Sequence, residues 1–209
     1  MNYYFHTLVY VNLLFLISLF NCTNQSAGIE TTNGATVVVC AKSIEGTTPP
    51  FASVYVFDKN YIPYIDSGLG IATAANEDGY FLINGEKFDT LSVAVISSDK
   101  SMFAIFNAGS NGLEHRTLLE RPGSIEGTVM TNEPGPILVY IYGTGYYVLL
   151  KSSGIFEFKD LPQGTYILRA ATVSTAGPEG KAILKKQSMT HQIVVTPDHK
   201  TISAPVTIP

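Results

Sequence analysis

One stretch decides the fold: Ser153-Gly154-Ile155-Phe156-Glu157-Phe158-Lys159-Asp160-Leu161-Pro162-Gln163-Gly164-Thr165-Tyr166. Phe156 and Phe158 are two residues apart, which places both rings on one face of a β-strand. Pro162 holds Leu161 in an extended conformation, and Gly164 is predicted to supply the turn before the next strand. The stretch therefore predicts two short strands joined by a tight connection.

The same order of segments occurs twice along the chain. The matched pairs are Ser53–Phe57 with Leu138–Tyr142, Asp78–Ile83 with Ser153–Phe158, and Leu91–Val95 with Tyr166–Ala170. Gly79 and Gly154 hold the same place in the two copies, where a sharp turn favours a positive φ. The first copy is longer around Lys59–Gly70. Two tandem copies of one β domain explain this order better than one large sheet.

The second copy resembles the carboxypeptidase regulatory-like domain. Three segments carry the resemblance, which covers most of residues 122–209: Ser124–Val129, Val139–Ile141 and Ser153–Tyr166. In residues 34–120 it is weaker, because Gly85–Thr90 replaces the Leu-Pro-x-Gly-x-Tyr step. The resemblance implies a transthyretin-like (prealbumin-like) β-sandwich. It also implies an accessory role, since the chemistry of carboxypeptidases lies in a separate zinc domain that is missing here.

The predicted fold is all-β, with two tandem transthyretin-like antiparallel β-sandwich domains after a signal peptide. Composition agrees: charged residues make up 14% of the chain, while 18 Gly and 11 Pro provide frequent turns. The predicted divisions are a signal peptide at 1–21, a flexible tether at 22–33, a divergent first sandwich at 34–120 and a second at 121–209.

The N-terminal region predicts export. The apolar run Leu13–Phe20 ends at Asn21-Cys22 and is followed by polar residues. This arrangement resembles the lipobox of bacterial lipoproteins, which implies a diacylglycerol anchor on Cys22. The run is too short for a transmembrane helix, which needs about 20 apolar residues. Thr23 stands where some inner-membrane lipoproteins carry Asp, and this favours the outer membrane. An ordinary cleaved signal peptide and an uncleaved anchor remain alternatives.

The two cysteines allow two alternative arrangements, a lipid anchor or a disulfide. If Cys22 carries lipid, Cys40 has no second cysteine with which to form a bridge, because the chain contains only 2. The alternative is a Cys22–Cys40 disulfide in a soluble secreted protein.

Sequence patterns for catalysis are missing. None of the four histidines (His6, His115, His191 and His199) has Glu three residues further on, as one common zinc-peptidase pattern requires. No Gly-x-Ser-x-Gly elbow and no phosphate-binding loop occurs. We therefore expect no catalytic residues, no metal and no cofactor. The net charge of −4 gives no electrostatic reason to bind nucleic acid.

The sequence predicts a non-catalytic, membrane-anchored surface or periplasmic lipoprotein that serves as a protein-interaction or accessory module. A carbohydrate-binding role in a polysaccharide-degrading envelope system is the alternative, with Tyr146 and Tyr147 as the candidate glycan contacts. Tyrosines also form cross-strand ladders with no ligand, which is the competing interpretation. Because Tyr140 and Tyr142 alternate with Val139 and Ile141, either one face of their strand is exposed or both are covered.

Overall fold

The structure is a computed structural model that describes residues 33–66, 70–85, 89–174 and 182–209. The predicted signal peptide, all but Asn33 of the predicted tether, and Cys22 lie outside these residues. All regular structure in the described ranges is β-strand. These ranges contain no helix long and apolar enough to cross a membrane.

The first eight strands form two four-stranded sheets. Sheet A has the order β5-β2-β1-β8, and sheet B has the order β4-β3-β6-β7. Their bounds are β1 Gly34–Val39, β2 Ser43–Thr47, β3 Ser53–Asp58, β4 Ile71–Ala74, β5 Tyr80–Asn84, β6 Thr90–Ile96, β7 Phe103–Gly109 and β8 Glu114–Leu118. Strand β2 is not evident from the apolar pattern of the sequence, and it pairs with both β1 and β5.

The remaining strands form a second pair of sheets. Sheet C has the order β12-β9-β16, with β17 also on β9; sheet D has the order β11-β10-β13-β14, with β15 also on β13. Their bounds are β9 Gly123–Met130, β10 Ile137–Ile141, β11 Tyr147–Leu150, β12 Gly154–Leu161, β13 Gly164–Ser174, β14 Ile183–Gln187, β15 His191–Val195, β16 Lys200–Ile202 and β17 Val206–Thr207. The last two run parallel to β9, and all other pairings are antiparallel.

Each pair of sheets encloses its own apolar core, so the predicted all-β fold of tandem sandwiches is confirmed. Val37, Val54 and Val93 are fully buried between sheets A and B. Ile125 and Val139 are fully buried between sheets C and D. The sequence repeats occupy equivalent positions, because β3 lies between β4 and β6 just as β10 lies between β11 and β13. Val, Ile and Phe are buried at every second position in β5 and β9, as in strands with one face on a core.

The positive φ expected at the two repeat glycines occurs at Gly79 and not at Gly154. Gly79 has a φ of 79°, and a Cβ there would lie 2.1 Å from the Thr48 carbonyl oxygen. Gly154 and Gly164 are not among the residues with positive φ, because each begins a strand in extended conformation. The left-handed residue near the connection is instead Asp160, with a φ of 55°, at the register shift that ends β12.

Pro162 anchors a tyrosine corner at this connection. The buried Tyr166 hydroxyl donates a hydrogen bond of 2.7 Å to the Pro162 carbonyl oxygen, four residues upstream. Burial raises the pKa of Tyr166, so the hydroxyl stays protonated and remains a donor. This bond fixes the connection to β13 more directly than a turn at Gly164 would.

Removing that hydroxyl tests the corner. Tyr166→Phe keeps the ring but leaves the Pro162 carbonyl without its donor, so we expect a loss of about 1–2 kcal/mol in the free energy of unfolding. Urea denaturation measures the change. Tyr64→Phe, at an exposed tyrosine, is the control and should change stability by less than about 0.5 kcal/mol. Equal stabilities for the two variants would contradict a structural role for the corner.

Candidate functional site

The longer spacing in the first copy forms a contact with the second sandwich. Residues 59–66, which follow β3 and are named here the docking segment, lie on the outer face of sheet D. Ile62 and Ile65 pack there against Leu138 and Tyr140 of β10. The docking segment therefore buries apolar surface that the second sandwich would otherwise expose.

This contact decides between the two possibilities for β10. All five residues of the strand are buried: Ile137, Val139 and Ile141 face the core, while Leu138 and Tyr140 face the docking segment. Tyr140 is 0% exposed, and burial raises its pKa, an effect that the nearby Arg169 partly opposes. Both faces of the strand are covered, so Tyr140 is not a ligand-stacking residue.

Glycines at the tip of the β10–β11 hairpin allow the close approach. Gly143 has a φ of 71°, and its N–H donates a hydrogen bond of 2.8 Å to the Tyr61 carbonyl oxygen. A Cβ on Gly143 would lie 2.9 Å from the Lys59 carbonyl oxygen, and one on Gly145 would lie 3.1 Å from the Phe57 ring. A Cβ on Gly143 would require the backbone to shift, and one on Gly145 would make a tight contact with the Phe57 ring, so both glycines favour the close approach.

The outer face of sheet B forms the other half of the junction. Ile105 of β7 packs against the core of the second sandwich, and Gly164 lies beside it, with a Cβ position 3.6 Å from the Ile105 side chain. Ser92 and Ala94 of β6 point away from their own core, yet each is less than 10% exposed. The two sandwiches therefore share a packed interface in addition to the Arg121-Pro122 connection.

A cleft of about 350 Å³ opens at this junction. The first sandwich contributes Lys59, Ser92, Phe106 and Asn107, and the second contributes Tyr142, Thr144 and Thr165. The Ser92 hydroxyl donates a 3.0 Å hydrogen bond to the Asn107 amide oxygen. The Tyr142 ring carries the Arg169 guanidinium 5.4 Å from its centroid. The volume falls in the range of small-molecule sites, with mixed polar and aromatic walls.

Tyr146 and Tyr147 differ in environment. The Tyr146 ring packs against the core of the second sandwich, and its hydroxyl donates a 2.7 Å hydrogen bond to the Asp160 carbonyl oxygen. Burial raises the pKa of Tyr146 strongly. Tyr147 is 45% exposed. Tyr146 therefore has the position of a half-buried structural residue, whereas Tyr147 offers an accessible ring.

Tyr147 contacts the docking segment. Its ring centroid lies 5.8 Å from that of Tyr64, with the planes tilted by 40°. Tyr61 belongs to the same surface: burial, followed by Asp66 and Tyr147, raises its pKa. Tyr61 and Tyr64 could not be predicted from the sequence, because they come from the other sandwich. The unusual length of Lys59–Gly70 was the one signal for this region.

Chemistry-bearing residues do not converge within the described part of the chain. No group of three or more His, Cys, Asp or Glu side chains there could hold a metal ion. His115 stacks on Phe106, with ring centroids 5.9 Å apart, and does not belong to the residues that line the cleft. Cys40, just after β1, is disulfide-bonded, and Cys22 is the one other cysteine of the sequence.

These features define the class: a protein of two tandem β-sandwiches joined by a docking segment, with a cleft at their junction. No protein-family model matches the chain, and no curated protein matches it. A solved structure that is similar is that of GBS52, the minor pilin of the Gram-positive pathogen Streptococcus agalactiae. The TM-score is 0.32 at 8% identity, covering 78% of this chain and 85% of the pilin.

Proposed function

We propose that this protein is an exported, non-catalytic accessory or interaction module of the bacterial cell envelope, periplasmic or on the cell surface. The observation that supports it is the junction: Ile62, Ile65 and Gly143 dock the two sandwiches into one body. A stiff pair of sandwiches suits the presentation of a binding surface to a partner, because little conformational entropy is lost on association. Its partners are a protein or a polysaccharide.

The proposed attachment is a lipid on Cys22, with the outer membrane favoured over the inner. The competing arrangement is a Cys22–Cys40 bridge, and the two exclude each other because one sulfur atom cannot hold both a thioether to lipid and a disulfide. Both arrangements place the protein outside the cytoplasm, since disulfides persist in oxidising compartments. Export is thus common to both, and the two cysteines distinguish them.

Paired cysteine variants test the attachment. If Cys22 is lipidated, Cys22→Ser should move the protein from the membrane fraction to the soluble fraction or leave an uncleaved precursor, because the buried acyl chains are lost. Cys40→Ser should stay in the membrane fraction. Fractionation with mass spectrometry of the intact protein measures both.

The competing bridge gives a different pattern. Wild type and both variants would then be soluble, and each variant would carry one new free thiol that reacts with maleimide. A protein that remains in the cytoplasm, with its leader uncleaved and both thiols reduced, would contradict the export proposal itself.

A second candidate function is carbohydrate binding, and the cleft is the observation that favours it. The polar residues Asn107 and Thr165 line it together with the aromatic residues Phe106 and Tyr142. Sugar rings present hydroxyl edges and apolar faces, so this mixture suits them. The candidate glycan-binding surface is therefore the cleft at the junction and not the Tyr146–Tyr147 pair, since the Tyr146 ring packs against the core of its own sandwich.

A further inference from the structure

We propose that the cleft at the junction binds an acidic sugar residue, a hydroxylated ring that carries a carboxylate. This inference rests on the second candidate function and specifies the charge of the ligand. Its starting point is Lys59, the one charged residue among those that line the cleft. The chain as a whole carries a net charge of −4, so the positive charge at the cleft is opposite in sign to the net charge of the protein.

The backbone of Lys59 is fixed by neighbours on both sides. Its N–H donates a 3.1 Å hydrogen bond to the Thr90 carbonyl oxygen, and its own carbonyl oxygen lies against Gly143. No ion pair among the described residues uses its ammonium group. An unpaired cation on a fixed backbone, at the edge of a partly enclosed cleft, favours an anionic ligand.

The rest of the cleft provides neutral hydrogen-bonding groups and apolar surface. The Asn107 amide oxygen already accepts from Ser92, which leaves the amide N–H groups to donate to a ligand. Thr165 is an exposed residue on the opposite wall. Phe106 and Tyr142 add ring surface. A bare carboxylate would use only Lys59, whereas a sugar acid would also use the Thr165 hydroxyl, the Asn107 amide and the two rings.

The volume limits the size of the ligand. At about 350 Å³ the cleft lies near the lower end of the range for small-molecule sites. One or two sugar rings fit that space, so a longer acidic polysaccharide would place a single residue in the cleft and extend outside it.

Titration with D-glucuronate, D-glucose and acetate tests the proposal on the full exported chain. Calorimetry or NMR should detect saturable binding of glucuronate that weakens as salt is added, with glucose and acetate each at least tenfold weaker. Lys59→Gln should weaken glucuronate binding about tenfold or more, the scale of one hydrogen bond to a charged group. Lys151→Gln, at an exposed lysine outside the cleft lining, is the matched control and should bind as wild type does.

The three probes separate the possible failures. Equal binding of glucose would remove the charge claim, and equal binding of acetate would remove the sugar claim; either result overturns the proposal. Absence of glucuronate binding at millimolar concentration also overturns it. None of these results bears on export or attachment, which the cysteine variants measure independently.

Discussion

A fragment of residues 122–209 is expected to be far less stable than the same residues in the full chain. Leu138 and Tyr140 are 0% exposed and lie under Ile62 and Ile65 of the docking segment. Burying one large apolar side chain is worth about 1.5–3 kcal/mol, so exposing these two removes about 4 kcal/mol. The total free energy of unfolding of a domain is about 5–15 kcal/mol. We expect a broad, low-temperature melt or aggregation, measured by circular dichroism and light scattering.

Substitutions in the full chain provide the control for that fragment. Ile62→Ser with Ile65→Ser should lower the free energy of unfolding by about 2 kcal/mol or more, since two packed side chains lose apolar contact. Ile71→Ser makes the same change at a residue 46% exposed on edge strand β4 and should have an effect under about 1 kcal/mol. A fragment with a sharp transition at the temperature of the full chain would show that the two cores are independent.

The sandwich fold could be predicted from sequence because its strands obey a local rule. Phe156 and Phe158 alternate with Ile155, Glu157 and Lys159, and both rings are buried where that alternation places them. The φ values were harder, because a glycine shows only that a positive φ is permitted. Gly79 uses that freedom, whereas Gly154 begins an extended strand and the left-handed residue nearby is Asp160.

The junction could not be predicted in the same way. Tyr140 is buried by a segment about 80 residues earlier in the chain, and no local pattern in either segment specifies that contact. The unusual length of Lys59–Gly70 was a real signal, yet it indicated an insertion and not what the insertion covers. The role of Tyr146 was also hidden, because its partner is the backbone carbonyl of Asp160 and carries no side-chain signature.

A stronger repeat in the sequence was missed. The pentapeptide Ser-Ile-Glu-Gly-Thr occurs at Ser43–Thr47 and again at Ser124–Thr128. These segments form β2 and most of β9, which hold equivalent places beside β5 and β12. A strand is expected at the second occurrence from its apolar residues, and none was predicted at the first. The identity of the five residues would have located β2.

The glycine of this pentapeptide is expected to be essential for stability in the first sandwich. Gly46 pairs with Val37 of β1, and a Cβ on it would lie 1.9 Å from the Thr36 carbonyl oxygen. That obstacle is backbone in a central strand pair and cannot move without separating β1 from β2. Gly46→Ala should therefore cost about 3 kcal/mol or more in the free energy of unfolding, at the upper end for overpacking. Urea denaturation of the full chain measures it.

Substitution of two further glycines should have smaller effects on the free energy of unfolding, because their surroundings differ. Gly127 is the matching position in the second sandwich, where a Cβ would lie 2.5 Å from the Phe156 ring and 2.8 Å from the Ser203 hydroxyl. Because these neighbours are side chains, Gly127→Ala should cost less, about 2 kcal/mol. Gly109, at the end of β7, has nothing within 4 Å, so Gly109→Ala should be neutral or slightly stabilising. If Gly46→Ala and Gly109→Ala melt alike, the close approach of β1 to β2 is not what requires a glycine in the first pentapeptide.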